Sequence, residues 1–339
     1  MIYGHGDDRY KFRNTKANFS SNIPGGVDSS ELYKYLAKQM DCLSAYPEPV
    51  PSALEAQVAE TYGLQPDEVC VTNGATDAIY LVAQAFRGRK SYVIQPTFSE
   101  YADACRLHKH VVKTIYTLDD VDDNADIVWL CNPNNPTGAV WPKKTLTERI
   151  VSHPSVCFVI DQSYEDFTLE KLFSAAEAVS MPQVILLHSV TKRYAIPGLR
   201  LGYITASAAL LQRIRLQRMP WSVNALAIEA GRYLLGNTHP QQPALHGLLS
   251  ETKRLQTAIS KLKIADVWPT DTHFFLARLR IGNADGLKNY LAEEVGILIR
   301  DASNFDGLDN TFIRIATQTP DENDYLINAL EAWKTAFLS

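Results

Sequence analysis

Asp126–Tyr164 reads DIVWLCNPNNPTGAVWPKKTLTERIVSHPSVCFVIDQSY, and the order of its parts sets the architecture. Asp126–Cys131 and Val156–Ile160 are short runs of aliphatic, β-branched and aromatic residues without polar alternation. Runs of that kind read as strands buried on both faces. Between them, Asn132–Gly138 has the composition of a tight turn, and Lys144–Ser152 has helical spacing. Strand, turn, helix, strand is the repeating unit of a parallel sheet covered by helices.

The same texture extends in both directions. Val69–Thr72, Tyr92–Gln95, Val184–His188 and Leu201–Thr205 read as further strands, and Ala75–Phe86, Glu100–His108 and Ala208–Gln217 as helices. The expectation is an α/β fold with a mostly parallel sheet, in which ligands gather at the carboxyl ends of the strands. Beyond Gly236 the pattern becomes α+β. An amphipathic stretch, Gln242–Leu262, precedes strand-like Ala265–Trp268 and His273–Leu279, a helix at Asp285–Val295, two short strands and a last helix at Asp321–Phe337. The division expected is an N-terminal arm (1–40), a large domain (41–236) and a smaller C-terminal domain (237–339).

Composition narrows the function classes. The net charge of -5 and the lack of any Lys/Arg-rich block speak against nucleic acid as a partner. Cys42, Cys70, Cys105, Cys131 and Cys157 are scattered, odd in number and without a C-x-x-C pair. They read as reduced thiols of a cytoplasmic protein, not as a disulfide framework or a metal site. Met1–Arg13 is polar and lacks the apolar core of a signal peptide. No apolar run has the length of a membrane span.

The residues that carry chemistry fall where strands end. His188–Gly202 reads HSVTKRYAIPGLRLG. Lys192 lies between a buried strand and a turn of small residues, a setting that lowers a lysine's pKa and frees its amine as a nucleophile. Ser189, Thr191 and Arg200 beside it make a phosphate clamp. Gly74, Ala75 and Thr76 stand at the start of a helix, whose backbone N–H groups favour an anion. Asp161 ends a buried strand, where a carboxylate needs a cationic or hydrogen-bonded partner. A helix cap or a structural ion pair would also satisfy it. Tyr164 follows three residues on. Asn135 sits in the turn after Cys131, and Phe98 follows another strand, either to stack on a ring or simply to pack the core.

NPNNPTG, DQSY, SVTK with an arginine eight residues later, and Tyr46-Pro47-Glu48-Pro49 together resemble the fold-type I pyridoxal-5′-phosphate (PLP) enzymes, specifically the class I/II aminotransferases close to histidinol-phosphate aminotransferase. The resemblance runs over nearly the whole chain. It implies that Lys192 carries the cofactor as a Schiff base and that Asp161 pairs with the pyridine nitrogen. It also implies that Asn135 and Tyr164 bind the phenolate oxygen, that Ala75, Thr76, Ser189 and Arg200 hold the phosphate, and that Phe98 stacks on the ring. Tyr46 would reach the cofactor phosphate of a neighbouring subunit, which implies a homodimer. Arg314, in FIRIAT, would take the substrate α-carboxylate.

A finer resemblance points to one branch. His5-Gly6, FSSNIPGG at Phe19–Gly26, MPWSVNALA at Met219–Ala227 and ILIRDASNFDGLDNTFIRIA at Ile297–Ala316 are similar to the L-threonine-O-3-phosphate decarboxylases of cobalamin biosynthesis, which make (R)-1-amino-2-propanol O-phosphate. HGDD stands where that branch tends to show a glycine pair. A phosphorylated substrate needs an anchor of its own, and His5, Asn22 and Arg300 are the candidates. The same cofactor residues would equally serve a histidinol-phosphate aminotransferase or an L-serine O-phosphate decarboxylase. A non-catalytic regulatory protein on this fold usually carries a DNA-binding domain, and the charge distribution offers none.

Overall fold

In a computed structural model the described residues are 7–236 and 245–338. Seven strands form one sheet in the spatial order Val69–Thr72, Gly202–Ala206, Val184–Ser189, Cys157–Asp161, Ile127–Cys131, Lys90–Ile94, Val111–Ile115. The five strands from Val184–Ser189 to Val111–Ile115 pair in parallel. Alternate residues feed two cores. Val128, Leu130, Phe158, Ile160 and Leu186 face one layer, while Ile127, Trp129, Val159, Ile185 and Leu187 face the other. Trp129 is fully buried, which contributes about 3 kcal/mol of hydrophobic stabilisation.

Gly202–Ala206 runs antiparallel to both of its neighbours. The chain between Ser189 and Gly202 holds only a one-turn helix, Val190–Arg193, and a short turn at Pro197–Leu199. It therefore returns beside the strand that it left, with no crossover helix. Val111–Ile115 was not anticipated from the sequence. It is an edge strand whose exposed and partly buried positions alternate, so it lacks the unbroken apolar signature. The helices Ser30–Lys38, Ser52–Tyr62 and Ala225–Gly236 likewise had no sequence assignment.

A second sheet, wholly antiparallel, has the order Arg300–Asp301, Phe312–Ala316, Phe274–Leu279, Ala265–Val267. It packs on Leu245–Leu262 and Pro320–Leu338 through Leu255, Ile259, Leu326 and Leu330. The fold is thus α/β, with a mostly parallel sheet and a smaller α+β body in the C-terminal part. The expected helix over Asp285–Val295 is α-helical only from Ala284 to Tyr290, and Leu291–Val295 widens into a π turn. There the Tyr325 hydroxyl donates to the Val295 carbonyl at 2.8 Å. Ala17–Asn18 pairs in parallel with Ile297–Leu298, which carries the N-terminal segment back to the C-terminal body.

The turn at Asn132–Gly138 fastens the two bodies together. Gly138 has φ 72°, and a Cβ there would stand 2.5 Å from the Phe274 carbonyl, so glycine alone permits this approach. Val140 N–H donates to Asp271 at 2.9 Å, and Asp271 N–H to the Gly138 carbonyl at 3.0 Å. Among the described residues no helix is long and apolar enough to cross a membrane.

Candidate active site

The carboxyl ends of the central strands open onto a cavity of about 620 Å³. Lys192 enters it from the one-turn helix that follows Val184–Ser189, and its Nζ donates to the Ser21 carbonyl at 3.2 Å. Burial, with the cations Arg314 and Arg200 nearby, lowers its pKa to about 8. A measurable fraction of the amine is therefore unprotonated near neutral pH.

One wall is built for an anion. Gly74 opens the helix Gly74–Ala85 with φ 83°, and a Cβ there would lie 2.6 Å from Nη2 of Arg200. A Cβ on Gly202 would stand 2.8 Å from the Ala75 nitrogen. These two glycines let the helix N-terminus, the strand and the guanidinium converge. Ala75, Thr76, Ser189, Thr191 and Arg200 all line the cavity at this point. Ser189 Oγ and Thr191 Oγ1 are 2.9 Å apart, and Arg200 is steadied by donating to the Pro197 carbonyl at 2.9 Å. Backbone donors at a helix start, two hydroxyls and an arginine together suit a phosphate.

The same cavity holds a buried acid. Asp161 is 3 % exposed and closes the strand Cys157–Asp161. Its Oδ2 accepts from the Tyr101 hydroxyl at 2.7 Å and its Oδ1 from the Ser163 N–H at 2.9 Å. Burial raises its pKa, and these two donors oppose the rise. Tyr164 lies beside it, its hydroxyl accepting from Asn22 Nδ2 at 3.2 Å. That leaves the Tyr164 proton to be donated elsewhere, and burial, pushing its pKa up to about 12, keeps the proton in place. Phe98 lines the cavity and meets Tyr101 edge-on at 5.9 Å.

Arg314 reaches the same space from the second sheet. It is 4 % exposed and donates to Asn135 Oδ1 and to the Ser20 carbonyl, while its Nε has no hydrogen-bond partner. Burial lowers its pKa most, with Arg300 adding to the effect, yet a guanidinium remains charged at neutral pH. A buried cation with an unused donor is suited to a carboxylate.

Not every candidate lines this cavity. Arg300 borders a smaller hollow of about 40 Å³, shared with Phe98, Asn135, Asn304, Phe305 and Arg314. Its Nη2 donates to Asn304 Oδ1 at 2.6 Å. Asn22 reaches the site through Tyr164. Tyr46 stands apart, 86 % exposed, with its ring 5.5 Å from that of Trp221. His5 lies outside the described residues. The sequence reading passed over Tyr101, Ser163, the Ser21 carbonyl, and a Tyr80–Glu100 hydrogen bond of 2.7 Å at the cavity wall. Tyr101 had one local signal, its place three residues after Phe98 in the first turn of the helix Glu100–Leu107.

An anion cradle, a lysine of depressed pKa and a buried carboxylate thus share one cavity. This set fits a flat phosphorylated cofactor that has a carbonyl for the lysine and a basic ring nitrogen for the acid.

Comparison with known proteins agrees. Residues 14–330 match the family model "Aminotransferase class I and II". Threonine-phosphate decarboxylase of Salmonella typhimurium is 32% identical over 92% of this chain and 90% of its own. The crystal structure of L-threonine-O-3-phosphate decarboxylase from Porphyromonas gingivalis is similar with a TM-score of 0.91 and 39% identity, covering 94% of this chain and 99% of that one. The histidinol-phosphate aminotransferase from Clostridium acetobutylicum is similar with a TM-score of 0.85 and 26% identity, over 94% of this chain and 99% of its own.

Proposed function

The chain belongs to the aminotransferase class I and II family, and from that premise we propose that it decarboxylates L-threonine O-3-phosphate to (R)-1-amino-2-propanol O-phosphate. The cofactor is pyridoxal 5′-phosphate, and the cavity suits it: the phosphate cradle at Gly74, the amine of Lys192 and the carboxylate of Asp161 all face one space. This reaction is the cobalamin-linked step that the sequence resemblance implies.

When bound, PLP supplies an electron sink for the bond broken at the substrate's α-carbon. The protein's own residues decide the rest. Ala75, Thr76, Ser189, Thr191 and Arg200 hold the cofactor phosphate, and Phe98 covers the ring. Asp161 keeps a proton on the pyridine nitrogen, and Asn135 and Tyr164 hold the phenolate oxygen. Arg314 binds the substrate carboxylate and fixes its direction. By fixing the carboxylate's direction, Arg314 would make the bond to that carboxylate the one that breaks, so this anchoring would select decarboxylation. CO2 leaves, and one proton takes its place on the α-carbon. Lys192, with a pKa near 8, is the residue that delivers it.

The observation that carries the phosphorylated substrate is the second buried arginine. Arg300, 6 % exposed, adjoins Arg314 across a shared hollow. One arginine serves the carboxylate, and Arg300, with Asn22 and His5, serves the substrate phosphate. The domain boundaries at 40 and 236 and a cytoplasmic location belong to the same proposal. So does a homodimer, supported by Tyr46 and Trp221, which are both exposed and in ring contact.

The test is incubation of PLP-loaded protein with L-threonine O-3-phosphate, following CO2 and keto-acid formation. CO2 with aminopropanol phosphate, independent of any added 2-oxo acid, is the expected result. Amino transfer from histidinol phosphate to 2-oxoglutarate without CO2 would overturn it.

A further inference from the structure

Asn22 is a residue that needs holding. It is fully buried, and its φ of 53° lies in the left-handed region, which asparagine enters more readily than most residues but still seldom. Its carbonyl accepts from Nε2 of His273 at 3.2 Å, and its amide donates to the Tyr164 hydroxyl at 3.2 Å. We propose that His273 is a positioning residue for the active site, fixing Asn22 so that its amide holds and polarises the Tyr164 hydroxyl. The proposal rests on the cofactor site described above and not on the identity of the substrate.

The chemistry of the ring supports it. A carbonyl has no proton to give, so Nε2 of His273 must be the donor. The ring is fully buried, and desolvation, with Arg314 and Lys192 nearby, lowers its pKa to about 3. It is therefore the neutral Nε2–H tautomer, with Nδ1 unpartnered. An unpaired buried acceptor costs stability, and a leucine at this position would avoid the cost. A histidine kept there without a second partner points to the one bond that it does make.

The ring is held on several sides. Phe167 lies 4.2 Å from it and Phe274 meets it edge-on at 5.3 Å, while the His273 carbonyl accepts from the Thr317 N–H at 2.7 Å. Phe274, the next residue, packs its ring on Tyr164 at 4.8 Å and under the Arg314 guanidinium at 5.9 Å. The dipeptide at the start of the strand Phe274–Leu279 thus braces Tyr164 directly and through Asn22. The amide's donation lowers the Tyr164 pKa, making the hydroxyl a better donor. Without it, an oxyanion facing Tyr164 is less stabilised and holds a proton at higher pH.

The test uses PLP-loaded wild type, His273→Leu, His273→Gln, Asn22→Ala and the double variant His273→Leu/Asn22→Ala. The visible absorption of the bound cofactor is titrated against pH, with kcat and KM measured alongside. His273→Leu should raise the titration midpoint by roughly one pH unit and lower kcat roughly tenfold, the scale of one lost hydrogen bond. His273→Gln, which keeps an N–H where Nε2 stands, should stay within about twofold of wild type. Asn22→Ala should reproduce the midpoint shift, and the double variant should add nothing to it, because both act through one bond. A wild-type midpoint in His273→Leu, or additive shifts in the double variant, would overturn the proposal. The midpoint needs no substrate, so failure of the decarboxylase reading would leave it standing.

Discussion

The Tyr101 hydroxyl donates a 2.7 Å hydrogen bond to Oδ2 of Asp161 from sixty residues away in the chain. Both groups are buried, and the Tyr101 ring stacks on Trp129 at 6.0 Å. The acid proposed to pair with the cofactor's ring nitrogen is therefore aimed by an aromatic residue that is itself immobilised in the core.

Tyr101→Phe keeps that packing and removes the donor. The Asp161 carboxylate then retains its Ser163 donors, and its pKa rises further. The expected result is a roughly tenfold loss of kcat/KM at neutral pH, with the acidic limb of the pH–rate profile moved upward. An unmoved acidic limb would show that Tyr101 has only a packing role.

Lys192→Met abolishes the covalent link to the cofactor, read as loss of the visible absorption, and stabilises the cofactor-free protein. The sign follows from the depressed pKa. Between pH 8 and the ordinary lysine value of 10.5, the unfolded chain binds the extra proton, so wild-type stability rises with pH across that window. Methionine removes the cost, which is full below the folded pKa, and should add on the order of 2 kcal/mol at neutral pH. Denaturant melts of the cofactor-free proteins on either side of the window measure it, and a gain that does not shrink at high pH would contradict the cause given.

Gly74→Ala drives a methyl to within 2.6 Å of Arg200 Nη2 and forces alanine into φ 83°. The guanidinium must move. The expected outcome is weaker PLP binding by at least roughly tenfold, with the strain costing on the order of 1–2 kcal/mol of stability. Equilibrium dialysis of the cofactor and a thermal melt separate the two effects.

Arg300→Gln should leave the absorption of bound cofactor unchanged and raise KM for threonine phosphate on the order of a hundredfold, the scale for removing a charge-assisted contact. An unchanged KM would remove Arg300 from the substrate site.

By itself the sequence determined the buried strand runs, the turn at Asn132–Gly138, and the placing of Lys192 and Asp161 at the ends of such runs. Each was legible because the signal is local. An unbroken apolar run reports burial on both faces, and a lysine or aspartate at the end of such a run reports a desolvated charge. The tertiary structure decided what depends on partners distant in the chain. Burial does not encode strand direction, so Gly202–Ala206 read as a strand but its antiparallel pairing did not. Val111–Ile115 hid because an edge strand needs only one apolar face. Tyr101 and His273 were not singled out, since an aromatic that aims a carboxylate and one that merely packs have nearly the same local pattern. Only the folded chain brings the Tyr101 hydroxyl to Asp161 and the His273 ring to Asn22, and there burial makes each single hydrogen bond count.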